Sequence, residues 1–335
     1  MGVEERIWRR AGASYERIFS AAIGVSHRGK SGPLKRVLSD FGAEHSFMQA
    51  AARVREHYGF ELTASAVRQA TLETAGRAER FLEKGYEASF RALPSKGPEV
   101  LVAQADGTMI CTVSAGRRGE KRPRSWQEMR LVAAQVPGKI QATYGATFGS
   151  VEQAGRVWGH CARDAGRGLN SHIHVVADGA TWISLQAADV FGEDHNFLCD
   201  FFHVSEYLAA AAPACAAHRP GPWRSTQHKR LKRSASALVI EELARHLEPA
   251  STPEEEAPVR SAHRYLTNRQ EALDYKAAID AGLPIGSGLI ESGHRHVLQA
   301  RLKKAGACWL PQTAHSLAQL RVLRANNLWS SIWNN

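Results

Sequence analysis

Apolar residues recur at spacings of three and four through most of the first ninety positions, as at Phe47, Ala50, Ala51 and Val54, the period of helices packed along one face. The pattern breaks at His57-Tyr58-Gly59-Phe60-Glu61-Leu62-Thr63, after which Thr63 or Ser65 can cap a second helix running through Val67, Ala70, Thr71 and Thr74. Two short helices around a glycine turn over residues 46–77 have the outline of a helix-turn-helix, with Ser65, Arg68, Gln69 and Arg77 offered to a major groove; a plain helical hairpin has the same outline. Leu93-Pro94-Ser95-Lys96-Gly97-Pro98 then reads as a linker.

Beyond the linker the period changes. Val100 to Ala105 is a nearly continuous apolar run, the kind buried on both faces of a sheet, and it is expected to end at Asp106-Gly107. Met129–Val136 and Ile140–Phe148 predict two strands joined by Pro137-Gly138, hence an antiparallel pair. Val151–Ala165 predicts a helix, and Ser171–Ala177 a strand that again ends in Asp-Gly, at Asp178-Gly179. A short strand at Phe197–Asp200 leads to a helix from about Val204. From there to about Asp280 the chain is rich in Ala, Arg and Glu at helical spacing, which reads as a helical insertion. Pro284-Ile285-Gly286-Ser287-Gly288 opens a last helix, Leu289 to about Ala305. The expected division is 1–94 helical, 95–204 first part of an α/β core, 205–283 helical insertion and 284–335 last part of the core.

A chain of 335 residues exceeds one ordinary domain, and 44% hydrophobic with 23% charged residues excludes wholesale disorder and low-complexity architecture. No stretch approaches the roughly 18 uncharged apolar residues of a membrane span, and the charged start lacks the apolar block of a signal peptide, so a cytoplasmic, nucleoid-associated protein is expected. The formal net charge of +10 makes nucleic acid the default partner. Five cysteines, odd in number and without a C-x-x-C pair, argue against a disulfide framework or a zinc ribbon and for free reduced thiols.

Asp106 and Asp178 each follow an apolar run, so their carboxylates meet at one sheet edge if the strands are neighbours. Glu291, early in a helix after a glycine-rich turn, can supply a third, with Arg295 one turn later. Three carboxylates converging there suit Mg²⁺ and phosphodiester chemistry, since Mg²⁺ takes few protein carboxylates and keeps water and phosphate oxygens as its other ligands. Asp-Gly is equally an ordinary turn dipeptide and such acids are equally read as solvated. Basic residues gather at Arg224, Lys229 and Arg230, and again at Arg295, Arg301, Lys303 and Lys304; each set is either a phosphate contact or a solvated helix face. Trp126, Trp182 and Trp309 are either core or platforms for unpaired bases. His172-x-His174 and His294-x-His296 are not read as ligand pairs.

The segments AQADGTMI, VVADGATWI and PIGSGLIESGHRHVLQARLKKAGACW, with LCDFFHVSEYL between the last two, resemble the DDE transposases of bacterial insertion sequences of the Kra type, related to Mutator-like transposases. The resemblance covers roughly residues 95–330. It implies an RNase H-like core, a mixed sheet flanked by helices, interrupted by a helical insertion. It also implies two Mg²⁺ or Mn²⁺ ions held by Asp106, Asp178 and Glu291, which nick DNA and transfer the strand without a covalent protein–DNA intermediate. Asp200-x-x-His203 matches the family's Cys/Asp-x-x-His motif, placing both residues beside the site; His203 either orients a carboxylate or closes a buried hydrogen-bond network. The implied partner is double-stranded DNA, transposon ends and target, bound by a dimer or larger assembly. Members of this type are often longer at the amino end, so a truncated copy is a further expectation. Two other functions share these residues: a non-catalytic DNA-binding derivative, and an RNase H-like nuclease acting on another nucleic acid.

Overall fold

In the computed structural model, residues 7, 17–22, 29–88, 92–116 and 122–333 are described. They form two compact units, one of the residues up to Glu87 with Met109–Gln127 and Arg295–Asn335, the other of Ala88–Thr108 with Glu128–His294.

In the first unit, α1 (Ile18–Ala22) is followed by α2 (Gly32–Glu44), α3 (Phe47–Tyr58) and α4 (Ala64–Ala88). Ser46 caps α3 in a reciprocal box with Gln49, and Gly59 ends it at φ +71°, where a side chain would be strained. Thr63 Oγ1 accepts from Ala66 N–H at 3.1 Å, so the start of the second helix is where its capping residue places it. Leu38, Ala50, Val54, Val67 and Ala70 form the core of these helices. The expected pair of helices is present, but α4, at 25 residues, is not short. Arg77 faces inward, donating to Ile332 O and lying 5.2 Å from the Trp333 ring.

The sheet comprises β1 (Val100–Val113), β2 (Arg124–Gln135), β3 (Ala142–Thr147), β4 (His172–Ala177) and β5 (His195–Cys199), in the order β3-β2-β1-β4-β5. β2 pairs antiparallel with β3, while β4 runs parallel to both β1 and β5. With α5 (Val151–Asp164) and α6 (Thr181–Phe191) packed beside it, this mixed five-stranded sheet is an RNase H-like fold. One expectation fails: β1 does not end at Asp106-Gly107 but continues to Val113. The dipeptide is not a turn because the β-branched run beyond it keeps the strand extended, and a Cβ at Gly107 would lie 2.1 Å from the Glu128 carboxylate. α6 was not anticipated, since its sequence follows an Asp-Gly that reads as a loop.

The insertion consists of α7 (Phe201–Cys215), α8 (Pro220–Leu231), α9 (Ser236–Ala244), α10 (Pro258–Thr267) and α11 (Tyr275–Asp280). One apolar core joins Val176 and Leu198 of the sheet to Phe201, Leu208, Leu243 and Leu266, so the insertion is packed onto the sheet rather than appended to it. The last expected helix is broken into α12 (Gly288–Gly293), a π-helical turn (His294–Gln299) and α13 (Ala300–Leu302), followed by α14 (Pro311–Ala325). No helix among the described residues is long and apolar enough to cross a membrane.

Candidate active site

Asp106, Asp178 and Glu291, drawn from three distant stretches of chain, line one cavity of about 260 Å³ together with Asp200, His203, Glu206 and Ser287. Parallel pairing sets Ala103 opposite Val175, and continuing that register by three residues brings Asp106 level with Asp178. Each position has its own local cause. Asp178 leaves the end of β4 through Gly179 at φ +81°, and its Oδ1 accepts from Ala180 N–H at 2.9 Å. The insertion holds that turn from outside. The Tyr265 hydroxyl donates to Asp178 O, and Arg269 Nε donates to Gly179 O at 2.9 Å. Burial pushes the Tyr265 phenol well above its ordinary pKa, which keeps it the protonated donor this contact needs.

Glu291 is fixed through the start of α12. Gln104, two residues before Asp106 and 1% exposed, donates from Nε2 to Gly286 O at 3.1 Å and accepts at Oε1 from Ile290 N–H at 2.9 Å. Asp200 is buried at the N-terminus of α7, where its Oδ1 accepts from Phe202 and His203 N–H. Its Oδ2 accepts from Ser287 N–H at 2.9 Å and from the Ser287 hydroxyl, which also lies 3.4 Å from Glu291 Oε1. A Cβ at Gly293 would sit 2.7 Å from the Tyr144 ring, so α12 rests tightly on β2 and β3.

Two histidines flank the cavity. His294 Nε2 lies 3.1 Å from Asp106 Oδ2, at ion-pair distance, and neither ring nitrogen makes a hydrogen bond among the described residues. His203, on the cavity wall, has Nδ1 3.5 Å from Glu206 and meets the Tyr207 and Tyr265 rings edge-on. His172 and His174 both reach Asn196 Oδ1, at 3.0 and 3.2 Å.

Among the described residues no three His, Cys, Asp or Glu groups are close enough together to hold one ion, so the carboxylates surround the cavity rather than converge on a point. The donor set nonetheless fits a hard divalent cation. It is carboxylate without thiolate, around a space wide enough for an ion that keeps its water.

The remaining sequence-predicted residues divide. Arg68, Gln69, Arg224, Lys229, Arg295 and Lys303 are exposed, and Lys304 is half-buried. Arg230 is half-buried, donating to Gln227 Oε1 at 3.0 Å. Arg301 is not a surface cation. It is 2% exposed, donates to Gly42 O at 3.0 Å, and lies 4.8 Å from both the Phe47 and Trp309 rings; burial lowers its pKa to about 10. One of its aromatic partners, Phe47, is distant in sequence, which explains why charge spacing alone misplaced it. Tyr265 and Arg269 were not singled out by sequence, Gln104 and Ser287 were read only as parts of a strand and a turn, and His294 was set aside as a ligand; the one available signal was Gln104, a polar residue inside an otherwise apolar strand.

The sequence model of the Uncharacterised protein family UPF0236 matches residues 33–331. A UPF0236 protein in the vanSb 3′ region of Streptococcus gallolyticus is 24% identical over 250 residues, covering 71% of this chain and 52% of the relative. The chain thus spans about half the length of that curated relative. Among solved structures, the Drosophila P element transposase strand transfer complex is similar over 94% of this chain and 83% of that one, with 7% identity and a TM-score of 0.35. On the extent of the family match, this chain belongs to the UPF0236 family.

Proposed function

We propose that this chain is a metal-dependent DNA transposase of the insertion-sequence, Kra-type DDE class, nicking DNA at transposon ends and joining the freed strand to a target. The observation that carries the reading is the meeting of Asp106, Asp178 and Glu291 about one polar cavity, with Asp106 within β1 and Asp178 just past the end of β4. In this reading those three carboxylates hold two Mg²⁺ or Mn²⁺ ions. When bound, such ions supply Lewis-acid activation of water or a 3′-OH and stabilise the leaving oxygen. The chain's own part is to fix the carboxylates: Gln104 and Asp200 set the start of the Glu291 helix, while Tyr265 and Arg269 set the Asp178 turn. The amino-terminal helices α1 to α4, the exposed cations Arg224, Lys229, Arg295 and Lys303 and the half-buried Lys304 serve DNA contact. Two ends must be held together, so the working form is at least a dimer on DNA.

One observation favours a second reading, a DNA-binding derivative without catalysis: the carboxylates do not close on a point. A single assay separates the two. Labelled DNA carrying the element's ends is incubated with Mg²⁺, Mn²⁺ or chelator and with wild type, Asp106→Asn or Glu291→Gln. Nicking that requires metal and is lost in both variants supports the transposase. Salt-sensitive binding without cleavage by the wild type supports the derivative.

A further inference from the structure

Within the unit that holds the helix pair, Arg68 of α4, Arg122 just ahead of β2 and Arg124 at its first position line an open cavity of about 450 Å³. Phe47, Val113, Trp309 and Leu310 are its apolar lining, and none of the described residues that line it is a carboxylate. All three arginines are exposed. Like charges gathered on one surface repel, and an anion placed among them relieves the repulsion. Strand alternation sets Trp126 on the same side of β2 as Arg124, and Trp126 is 62% exposed, whereas the core tryptophan Trp158 is 0% exposed. The connection of β1 to β2 is too short for a crossover, so the two strands form a hairpin.

The geometry does not resemble a closed nest for a small anion. Guanidinium groups on a helix and on a neighbouring hairpin, facing one open cavity, match a repeating array of phosphates, each able to take two parallel hydrogen bonds. We propose that the Arg68 face of α4 and the β1–β2 hairpin, through Arg122, Arg124 and Trp126, form one surface that grips the backbone of double-stranded DNA. This rests on the nucleic-acid reading above and narrows it: the helix pair does not act alone but shares its duplex with the hairpin. Arg77 has no part in the surface, because its guanidinium is engaged by Ile332 and Trp333.

The test is fluorescence anisotropy of a labelled duplex of about 30 base pairs, titrated between about 50 and 200 mM salt, the range over which phosphate contacts change affinity steeply. The 335-residue protein is compared with the triple variant Arg68→Gln/Arg122→Gln/Arg124→Gln. A charge-matched control replaces the exposed Lys139, Arg156 and Lys276 by Gln, and circular dichroism checks that all retain their helix content. Each phosphate contact contributes about 0.9 to the slope of log affinity against log salt, so the triple variant is expected to lose about 2–3 units of slope and tenfold or more in affinity. The control is expected to lose less than about one unit. Trp126→Ala is expected to weaken binding several-fold at unchanged slope, because the ring carries no charge. A triple variant that binds as the wild type does, or no worse than the control, overturns the surface and leaves the proposed chemistry standing if the same preparations nick DNA. A wild type that shows no salt-dependent DNA binding overturns both.

Discussion

Gln104→Met is the sharpest perturbation of the site that leaves every acidic residue in place. The thioether nearly conserves volume, so little cavity is created and the cost arises from hydrogen bonding. Gln104 is 1% exposed and makes two bonds, from Nε2 to Gly286 O at 3.1 Å and at Oε1 from Ile290 N–H at 2.9 Å. Its removal orphans one carbonyl and one N–H, each costing about 1–3 kcal/mol when left unpaired and buried. Taking the lower half of that range for each group gives a loss of about 2–4 kcal/mol. Gln104→Glu keeps the acceptor for Ile290 and loses the donor to Gly286, so about half of the hydrogen-bond loss is expected, plus the cost of burying a carboxylate. Urea unfolding followed by circular dichroism measures both, and midpoints at constant slope report the change directly. In nicking assays on protein that remains folded, a slackened α12 moves Glu291, and displacements of about 1 Å cost up to a hundredfold in rate. A Gln104→Met protein within about 0.5 kcal/mol of wild type would refute the view that this side chain holds the Glu291 helix, because surface substitutions alone produce changes of that size.

Other expectations concern the groups around that clamp. Asp200→Ala removes an acceptor shared by Phe202, His203 and Ser287, and a loss of about 3–5 kcal/mol is expected, read as a fall in the thermal midpoint. Arg301→Met is expected to destabilise by about 2–4 kcal/mol while leaving the salt slope of DNA binding unchanged, since its guanidinium is packed between Phe47 and Trp309; a lost unit of slope would return Arg301 to the DNA-contacting set. Burial pushes the Cys199 thiol up to about 11 and the Cys161 thiol further still, so at pH 8 both are expected to resist a thiol reagent until denaturant is added, as counted by absorbance. Glu44 is partly desolvated, which raises its pKa, but the Arg321 hydrogen bond and charge outweigh this and hold it below the ordinary carboxylate value. A depressed folded-state pKa stabilises above the unfolded value and is lost as pH falls through it, so Glu44→Gln is expected to flatten the decline of stability below about pH 4.5.

The strands were legible because burial on both faces leaves an almost purely apolar run, as in Val100–Ala105 and His172–Ala177. Asp106 and Asp178 were legible for the same reason, each standing out where such a run is interrupted, whereas Glu291 was marked by the glycine-rich turn ahead of its helix. What local pattern could not convey was whether the chain turns at the interruption. Asp178 does enter a turn, whereas Asp106 stays in an extended strand held beyond it by Thr108–Val113. Charge spacing on the final helix was misleading for a related reason. Lys303 is exposed, but Arg301 is buried between the rings of Trp309 and Phe47, and no local pattern encodes the contact with Phe47 in the amino-terminal helices. Gln104 shows the converse: a single amide in an apolar strand satisfies two backbone groups of a segment more than 180 residues away.

These contacts give the long helical insertion a role beyond filling the interval between Asp178 and Glu291. Asp178 is the carboxylate with least support from the sheet, since its strand has ended and its one fixed oxygen is bound within its own turn. The turn is instead held by two side chains of the insertion, Tyr265 on Asp178 O and Arg269 on Gly179 O, with the Arg269 guanidinium 4.2 Å from the Tyr265 ring and that ring stacked at 4.2 Å on Tyr207. At the other end, Asp200 joins the first helix of the insertion to Ser287 at the head of the Glu291 helix. The insertion is therefore coupled to two of the three carboxylates through hydrogen bonds that do not touch Asp106. Tyr265→Phe is expected to loosen Asp178 selectively. It removes one hydroxyl donor, keeps the ring stack, and leaves the Asp178 carbonyl unpaired at a cost of about 1–3 kcal/mol. Hydrogen exchange should rise in the 178–180 turn and remain unchanged at Gln104 and Ile290; a uniform rise across both segments would mean that the three carboxylates are held by one network and not by separate supports.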